Sequence, residues 1–408
     1  MHGSVAGLAG PAKAGGGEDD DAESTTTCAN PRFRLLIATM IGPRYTPLVA
    51  SLPETVPFVG PETQERLRGR PFRARIGANE SVFGPSPRAV AAMRAEANEV
   101  WKYGDAQNHE LRQALAAHHG VAAENIIVGE GIDGLLGYLT RLVVAPGDAV
   151  VTSDGAYPTF NYHVAGFGGV LHKVPYRDDR EDLEALIARA RDVAPKLIYL
   201  ANPDNPMGTA HPAASVAAMV TEVPEGSLLI LDEAYIEFAP DGLAPRIDPA
   251  DPRVIRMRTF SKGYGMAGAR VGYAIGAPDL IGAFDKIRNH FGMSRISQAG
   301  ALAALEDQAH LAQVRAQVAA ARDRLAAIAA ENGLAALPSA TNFVAIDCGA
   351  DGDFARRVLA ELVARDIFVR MPFVAPQDRC IRVSCAPETE MAAFAETLPQ
   401  ALAAARAG

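Results

Sequence analysis

The sequence predicts an α/β protein with a large, mostly parallel sheet domain covered by helices and a small C-terminal α+β domain. From about residue 79, short apolar runs alternate with helical stretches, which is typical of parallel strands joined by helical crossovers. A long Ala-rich helical stretch, roughly residues 294–332, then precedes a shorter β-α-β-β-α pattern. A chain of 408 residues is also too long for one simple core.

The large domain is expected at residues 79–290. Its strand candidates are apolar runs bounded by turn residues, at Ile126–Val128, Ala149–Thr152, Val170–Val174, Leu197–Leu200, Leu228–Leu231, Val254–Thr259 and Val271–Ile275. Helices are predicted between several of them, for example over residues 180–193 and 213–222.

The small domain is expected at residues 291–408. Its predicted elements are strands at 342–346, 367–370 and 381–385 and helices at 353–365 and 387–405. The alternation of polar and apolar residues over 381–385 is strict, as expected of a strand with one buried face.

The N-terminal region carries no such pattern. Residues 1–30 are rich in Gly, Ala, Asp and Thr, a composition that cannot bury a core, so a disordered tail is predicted. Residues 31–78 mix Pro, Arg and apolar residues without a clear period. They are predicted to form an arm that packs on other parts of the protein.

Composition excludes several classes of function. The net charge is −9 and no basic block stands out, which argues against nucleic acid as a partner. No apolar run approaches the roughly 20 residues that cross a bilayer, so no membrane partner and a cytoplasmic location are predicted. The 4 cysteines include no C-x-x-C pair, which favours reduced thiols over a metal site or disulfides.

Polar side chains follow three of the predicted strands at their C-terminal ends. The strand 197–200 runs into Asn205, the strand 228–231 into Asp232 and Tyr235, and the strand 254–259 into Lys262. Open α/β sheets bind ligands at the carboxyl ends of their strands. A single site built from these side chains is therefore predicted.

These residue types suit a phosphorylated pyridine aldehyde held by Lys262 as a Schiff base. A partly buried lysine has a lowered pKa and becomes a nucleophile. Asp232 would keep the pyridine nitrogen protonated, because an opposite charge at about 4 Å is worth about 4 kcal/mol near a dielectric of 20. Tyr235 and Asn205 would both donate to the phenolic oxygen. Each residue alone also has an ordinary explanation, as a loop lysine, a turn residue or a core tyrosine.

The phosphate is expected at a glycine-rich turn, residues 129–134, that opens a helix. Free backbone amides and the helix dipole at such a turn favour an anion. The residues expected to contact the phosphate are Gly131, Ile132, Asp133, Thr259, Ser261 and Arg270. Tyr157, after the strand 149–152, is expected to stack on the pyridine face, with a surface-loop aromatic as the alternative.

Two arginines are candidates for binding the substrate. Arg382 lies on the polar side of the strand 381–385, and Arg370 ends the strand 367–370. A guanidinium group there would clamp a substrate anion with two hydrogen bonds. For either arginine, an exposed position on a strand is the alternative explanation.

Together these motifs resemble the fold-type I pyridoxal-phosphate aminotransferases, and within them the histidinol-phosphate aminotransferase group. The resemblance covers roughly residues 52–405. It rests most on the segments 202–209, 232–235 and 261–270, in this order and spacing. Three further segments, 56–60, 77–87 and 101–105, are similar to the narrower group.

The resemblance implies a pyridoxal 5′-phosphate enzyme that moves an amino group by a ping-pong mechanism. Lys262 would release the cofactor and carry the α-proton, with histidinol phosphate as the donor in histidine biosynthesis and 2-oxoglutarate as the acceptor. The resemblance also implies a homodimer in which Tyr103 reaches the partner's phosphate site. Asn79 would lie near the substrate, and Arg370 and Arg382 would bind its anionic end.

The chain departs from the group at several positions. Ile132 stands where the group has Ser at the phosphate turn, and Ser81-Val82 stands where the group has Asn-Pro near the substrate. His290 and Arg295 are either pocket residues or surface and helix-capping residues. An aromatic or other amino acid as donor, or an amino-acid-phosphate decarboxylase of the same fold, are therefore the alternatives. A transcriptional regulator would need a DNA-binding domain, which the 30-residue acidic tail cannot supply.

Overall fold

A computed structural model describes residues 44–54 and 59–407 of the chain. The predicted tail, Cys28 and most of the segment 56–60 lie outside the described residues. The chain divides into two units, with the boundary between residues 50 and 51. The described part of the first unit holds most of a short helix, Pro47–Ser51. The second unit contains the sheets.

The strands are numbered along the chain. They are β1 (Ala74–Arg75), β2 (Ile126–Gly129), β3 (Ala149–Ser153), β4 (Val170–Val174), β5 (Leu197–Ala201), β6 (Leu228–Asp232), β7 (Val254–Thr259), β8 (Gly272–Ile275), β9 (Ala335–Ala336), β10 (Phe343–Asp347), β11 (Ile367–Phe368) and β12 (Cys380–Ser384). The main sheet has 7 strands in the order β2-β8-β7-β6-β5-β3-β4. β8 pairs antiparallel with β2 and β7, and the other four pairings in this sheet are parallel, so the predicted mostly parallel sheet is confirmed.

The second unit contains α-helices of very different lengths. The described ones are Pro61–Arg68, Pro87–Glu96, His109–His119, Gly131–Val143, Pro158–Gly166, Leu183–Val193, Ala213–Thr221, Pro278–Ala283, Arg295–Glu306, Gln308–Glu331, Gly352–Ala364 and Glu388–Ala407. No helix among the described residues is long and apolar enough to cross a membrane.

Helices cover both faces of the main sheet. All of β5 and β6 is buried, and alternate residues of β5 enter two different apolar clusters. One cluster includes side chains of the helix Gly131–Val143, and the other includes those of Leu183–Val193 and Ala213–Thr221. This two-sided burial explains why the strands read as unbroken apolar runs.

The Ala-rich stretch predicted as one helix is two helices. The first, Arg295–Glu306, ends before Asp307, and the second begins at Gln308. The Asp307 carboxylate accepts a hydrogen bond from the His310 amide at 3.3 Å and one from the Ser86 hydroxyl at 2.5 Å. Asp is a favoured N-cap residue because its oxygen satisfies an amide of the first turn. The helix predicted over residues 180–193 likewise begins only at Leu183, with Asp182 as its cap.

The other two sheets are small, and one of them contains a strand from the N-terminal side of the chain. β10 lies between β9 and β12, whereas β11 pairs in parallel with β1 from the N-terminal side of the chain. Two-residue strands give no alternation signal, so the sequence could not indicate β1. The boundaries at residues 78, 290 and 291 stay a prediction.

Candidate active site

A cavity of about 750 Å³ lies at the carboxyl ends of β5, β6 and β7 and reaches β12. A volume of this size suits a cofactor with a small substrate. The predicted residues that line it are Asn79, Ile132, Asp133, Tyr157, Asn205, Asp232, Tyr235, Thr259, Ser261, Lys262, Arg270, Arg370 and Arg382. The fold therefore brings together nearly all of the side chains that the sequence singled out.

Lys262 extends into the cavity from the loop after β7. Its Nζ donates to the carbonyl oxygen of Asn79 at 2.9 Å and lies 5.5 Å from the centre of the Tyr235 ring. Burial, assisted by the positive charge of Arg382, lowers the pKa of Lys262 to about 8. An amine with this pKa gains and loses a proton readily near neutral pH.

Asp232 is the last residue of β6 and forms part of the cavity floor. Its Oδ2 accepts a hydrogen bond from the Tyr199 hydroxyl at 2.7 Å, and its Oδ1 accepts one from the Ala234 amide at 2.9 Å. Burial raises the pKa of Asp232 to about 6, and these two hydrogen bonds oppose that rise. The carboxylate is thus ionised at neutral pH and can hold a proton on a partner nitrogen.

Tyr235 and Asn205 line the cavity, and the polar group of each accepts a hydrogen bond from a neighbouring side chain. The Tyr235 hydroxyl accepts from Asn79 Nδ2 at 3.2 Å, and burial raises its pKa to about 12, so the phenol stays protonated. Asn205 Oδ1 accepts from Arg382 Nη1 at 2.5 Å. Since its oxygen is taken, Asn205 has its NH2 group left to act as a donor.

Asn79 links the two sides of the cavity. Its φ of 56° lies in the left-handed region, which Asn tolerates better than most residues. The backbone amide of Asn79 donates to Ser384 Oγ at 3.0 Å, and the same hydroxyl donates to Asn79 Oδ1 at 3.2 Å. Ser384 of β12 therefore orients the residue that contacts both Lys262 and Tyr235.

The predicted phosphate site is a cup at the start of the helix Gly131–Val143. Ser261 N donates to Thr259 Oγ1 at 3.0 Å, and Arg270 Nη1 lies 3.5 Å from Ser261 Oγ. A Cβ on Gly131 would lie 2.8 Å from Arg270 Nη2, and the φ of 78° at Gly131 lies in the left-handed region that favours glycine. Hydroxyls, a guanidinium and helix amides are a donor set suited to a phosphate.

Asp133 and Tyr157 close the side of this cup. The Tyr157 hydroxyl donates to Asp133 Oδ1 at 2.9 Å, and Arg270 Nη2 lies 3.7 Å from Asp133 Oδ2. Burial, with the Asp133 charge, raises the pKa of Tyr157 above its usual value. The ring of Tyr157 is therefore held at the cavity wall by its hydroxyl.

Arg370 and Arg382 are adjacent on the small-sheet side of the cavity. Their backbones exchange two hydrogen bonds, Arg370 N to Arg382 O at 3.2 Å and Arg382 N to Arg370 O at 2.6 Å. Arg370 Nη2 donates to the Val59 carbonyl at 2.7 Å, and Arg382 Nη2 to that of Gly77 at 3.2 Å. Burial lowers the pKa of Arg382 to about 10, so its guanidinium is cationic at neutral pH, and burial also lowers the pKa of Arg370.

Three other residues named from the sequence lie away from the cavity lining. Tyr103 is 80% exposed, with its ring 4.9 Å from that of Phe291. Arg295 pairs with Glu96 at 3.0 Å and donates to the Tyr103 carbonyl at 3.3 Å. His290 is exposed. His290 and Arg295 are therefore outside the cavity lining of this subunit, which agrees with a surface position rather than a pocket position.

Sequence reasoning missed several side chains of the cavity, Tyr199 and Glu80 among them, and one that supports it. Tyr199 and Glu80 line the cavity, and Ser384 holds Asn79. Tyr199 reads as an ordinary core residue of an apolar strand, so no sequence pattern separates it from its neighbours. Ser384 could have been found, because it shares the polar side of β12 with Arg382.

Comparison with known proteins identifies relatives over most of the chain. A model of the family "Aminotransferase class I and II" matches residues 75–398. Histidinol-phosphate aminotransferase of Moorella thermoacetica is 32% identical over 366 residues, 88% of this chain and 94% of the relative. That of an Anaeromyxobacter species is 38% identical over 314 residues, covering 75% and 85%.

Solved structures show the same fold. A crystal structure of histidinol-phosphate aminotransferase from Sinorhizobium meliloti in complex with pyridoxal-5′-phosphate has a TM-score of 0.86 and 56% identity, covering 89% of this chain and 99% of that one. Aspartate aminotransferase from Thermus thermophilus with maleate has a TM-score of 0.75 at 22% identity, covering 88% and 100%; at that identity only the fold is comparable. These matches confirm the predicted fold class, and the chain belongs to the class I and II aminotransferases.

Proposed function

We propose that this aminotransferase uses pyridoxal 5′-phosphate to transfer the amino group of histidinol phosphate to 2-oxoglutarate. The single observation that carries the proposal is a cavity with a lysine of lowered pKa on one wall and two adjacent arginines on the other. The 56% identity to a histidinol-phosphate aminotransferase bound to this cofactor supports the same substrate and cofactor.

The residues present fit the cofactor. The cup of Gly131, Ile132, Asp133, Thr259, Ser261 and Arg270 would hold the phosphate, with Ile132 contributing its amide. Asp232 would hold the ring nitrogen, Tyr235 and Asn205 the phenolic oxygen, Tyr157 the ring face and Lys262 the aldehyde carbon. When bound, pyridoxal phosphate supplies an aldehyde that takes up an amino group and a ring that withdraws electrons.

Lys262 is suited to move the proton of the transamination. With a pKa of about 8, roughly one lysine in ten is neutral at pH 7, whereas an unshifted lysine would be neutral about once in 3,000. The neutral amine would take the substrate's α-proton, and the resulting ammonium would return a proton to the C4′ carbon of the cofactor. The Asn79 carbonyl, 2.9 Å from Nζ, holds the amine inside the cavity between these two steps.

Arg370 and Arg382 would bind the anionic end of both substrates. Two adjacent guanidinium groups match the two negative charges of a phosphate ester and can also take a carboxylate of 2-oxoglutarate. Asn79, between Lys262 and Tyr235, would lie beside the substrate. The same anion site would thus serve both halves of a ping-pong cycle.

The proposed enzyme is a homodimer with shared active sites. Tyr103 and Trp101 are 80% and 77% exposed, and the Tyr103 ring lies 4.9 Å from that of the half-exposed Phe291. Exposed aromatic groups of this kind are typical of protein interfaces. In the dimer, Tyr103 would reach the phosphate site of the partner subunit. A sedimentation experiment at micromolar concentration tests the dimer, and cell fractionation tests the predicted cytoplasmic location.

The experiment is a single-turnover absorbance trace of the cofactor-loaded protein mixed with histidinol phosphate and no acceptor. Conversion of the cofactor from its aldehyde form to its amine form is expected, followed by recovery when 2-oxoglutarate is added. Lys262→Ala should abolish the change. If histidinol phosphate leaves the spectrum unaltered while phenylalanine converts it, the substrate is an aromatic amino acid. To test the decarboxylase alternative, the protein is mixed with an amino-acid phosphate, which carries a carboxylate that histidinol phosphate lacks; release of carbon dioxide instead of an oxo product would identify a decarboxylase.

A further inference from the structure

Tyr199 contacts the predicted ring-binding carboxylate from the strand beside it. β5 and β6 run in parallel with Ala201 opposite Asp232, and Tyr199 precedes Ala201 by two residues. Side chains two residues apart on a strand share a face, so the Tyr199 ring lies along the face from which Asp232 projects. Its hydroxyl donates to Asp232 Oδ2 at 2.7 Å, a short distance typical of a hydrogen bond to a charged oxygen.

The Tyr199 ring is fixed by its surroundings. It is fully buried and stacks on the equally buried Phe160, with 4.9 Å between ring centres and 16° between ring planes. A buried side chain packed in this way has little freedom to change rotamer. The hydroxyl is therefore held at Asp232 whether or not a ligand is present.

Asp232 needs such a donor because its other surroundings oppose ionisation. Burial and the carboxylates of Asp133 and Glu233 raise its pKa. Buried Glu181 and the phenol of Tyr235 lie close enough to be affected by its charge. Opposing them are the Ala234 amide and the Tyr199 hydroxyl. Tyr199 is thus a side-chain donor that counteracts burial and the neighbouring carboxylates of Asp133 and Glu233.

We infer that Tyr199 is a positioning residue that keeps Asp232 ionised and aimed at the pyridine nitrogen of the cofactor. The inference rests on the proposed function, in which Asp232 binds that nitrogen. A neutral Asp232 would not hold the positive charge of a protonated ring. Losing the Tyr199 hydroxyl should therefore weaken the nitrogen contact while leaving the phosphate, the phenolic oxygen and Lys262 undisturbed.

The test is the affinity of apoprotein for two ligands, pyridoxal phosphate and its analogue with carbon in place of the ring nitrogen. Tyr199→Phe keeps the ring and its stacking and removes only the hydroxyl. We expect it to weaken pyridoxal phosphate binding at neutral pH by about tenfold, since hydrogen bonds to charged groups contribute that much or more. Affinity for the carbon analogue should not change. The pH below which pyridoxal phosphate affinity falls should be higher in Tyr199→Phe than in the wild type, because the pKa of Asp232 rises.

Two further variants separate positioning from packing. Tyr273→Phe also removes a buried tyrosine hydroxyl, one that contacts His119 at 2.8 Å away from the cavity, and it should bind both ligands like the wild type. In an Asp232→Asn background, Tyr199→Phe should cause no additional selective loss, because there is no carboxylate left to ionise.

Failure of the role inferred for Tyr199 and failure of the proposed function would give different results. Equal weakening of both ligands by Tyr199→Phe, or no weakening of either, would overturn the inference. If wild-type protein bound both ligands equally at every pH, the contact of Asp232 with the ring nitrogen would itself be wrong, and the inference would fall with it. A selective loss in a protein that does not accept histidinol phosphate would support the role of Tyr199 and reject only the substrate.

Discussion

Replacing Arg382 by alanine should reduce the use of histidinol phosphate by at least about 100-fold in kcat/KM. In the structure Arg382 is held by Asn205 Oδ1 at 2.5 Å and the Gly77 carbonyl at 3.2 Å, and its Nε is buried without a hydrogen-bond partner among the described residues. A substrate phosphate would accept hydrogen bonds from two of its donors. Each hydrogen bond to a charged group contributes about 1.5–3 kcal/mol, so two contribute roughly 3–6 kcal/mol, or more than 100-fold.

The assay is the rate of the first half-reaction as a function of substrate concentration, for histidinol phosphate and for histidinol, which lacks the phosphate. If Arg382 binds the phosphate, Arg382→Ala should slow only the phosphorylated substrate. Arg382→Lys keeps a charge but loses the planar fork, so an intermediate rate is expected. Arg365→Ala is the matched control, because Arg365 pairs with Glu361 away from the cavity.

One result would refute this reasoning. If Arg382→Ala left the apparent affinity for histidinol phosphate unchanged, Arg382 would have no part in the anion site. Cofactor affinity must be measured in the same samples, since the variant also releases Asn205. An equal loss for both substrates would assign Arg382 to the cofactor side of the cavity instead.

Three further predictions follow from particular contacts. The rate at which apoprotein captures pyridoxal phosphate through Lys262, followed by stopped-flow absorbance, should rise with pH and level off above about 8, where burial places the lysine pKa; a rise continuing towards pH 10 would show an unshifted amine. Gly272→Ala should weaken cofactor binding more than about tenfold, because a Cβ there would lie 2.7 Å from the Gly131 carbonyl carbon; Gly282→Ala, in open space, should bind like the wild type in the same titration. Glu233→Ala should lower the free energy of unfolding in urea by about 3–5 kcal/mol at pH 7. Burial alone would raise the pKa of Glu233, but Arg258 and Arg256 lower it below its ordinary value. The ionised Glu233 therefore stabilises the folded protein at every pH above the pKa that this group has in the unfolded chain. The difference in unfolding free energy between wild type and Glu233→Ala should narrow as the pH falls through the pKa of Glu233 in the folded protein.

The order of chemical groups along the chain was enough to predict the cofactor site. Asn205, Asp232 and Lys262 each follow a buried strand, and parallel strands end at one edge of a sheet, so their convergence follows from strand topology. The glycine-rich turn before a helix likewise indicated an anion site. These features are local, so they can be recognised in the sequence without knowing which distant residues are in contact.

The break at Asp307 and the pairing of β1 with β11 could not be predicted in the same way. Helical propensity over an Ala-rich stretch runs through a break that a single capping aspartate produces. A two-residue strand has no period at all, and its partner lies almost 300 residues away. For β1 the deciding interaction is with a residue remote in sequence, whereas the Asp307 cap is local and is outweighed in a propensity pattern by the Ala-rich residues around it.

The sequence by itself determined the fold class and which residue types gather at the carboxyl edge of the sheet, because both depend on strand order and local composition. Only the tertiary structure decided the pKa values and the orientations of those residues. Burial sets the lowered pKa of Lys262, Tyr199 opposes the raised pKa of Asp232, and Ser384 orients Asn79 from the other side of the cavity. Desolvation and hydrogen bonding depend on which atoms surround a group, and that is fixed only when the chain has folded.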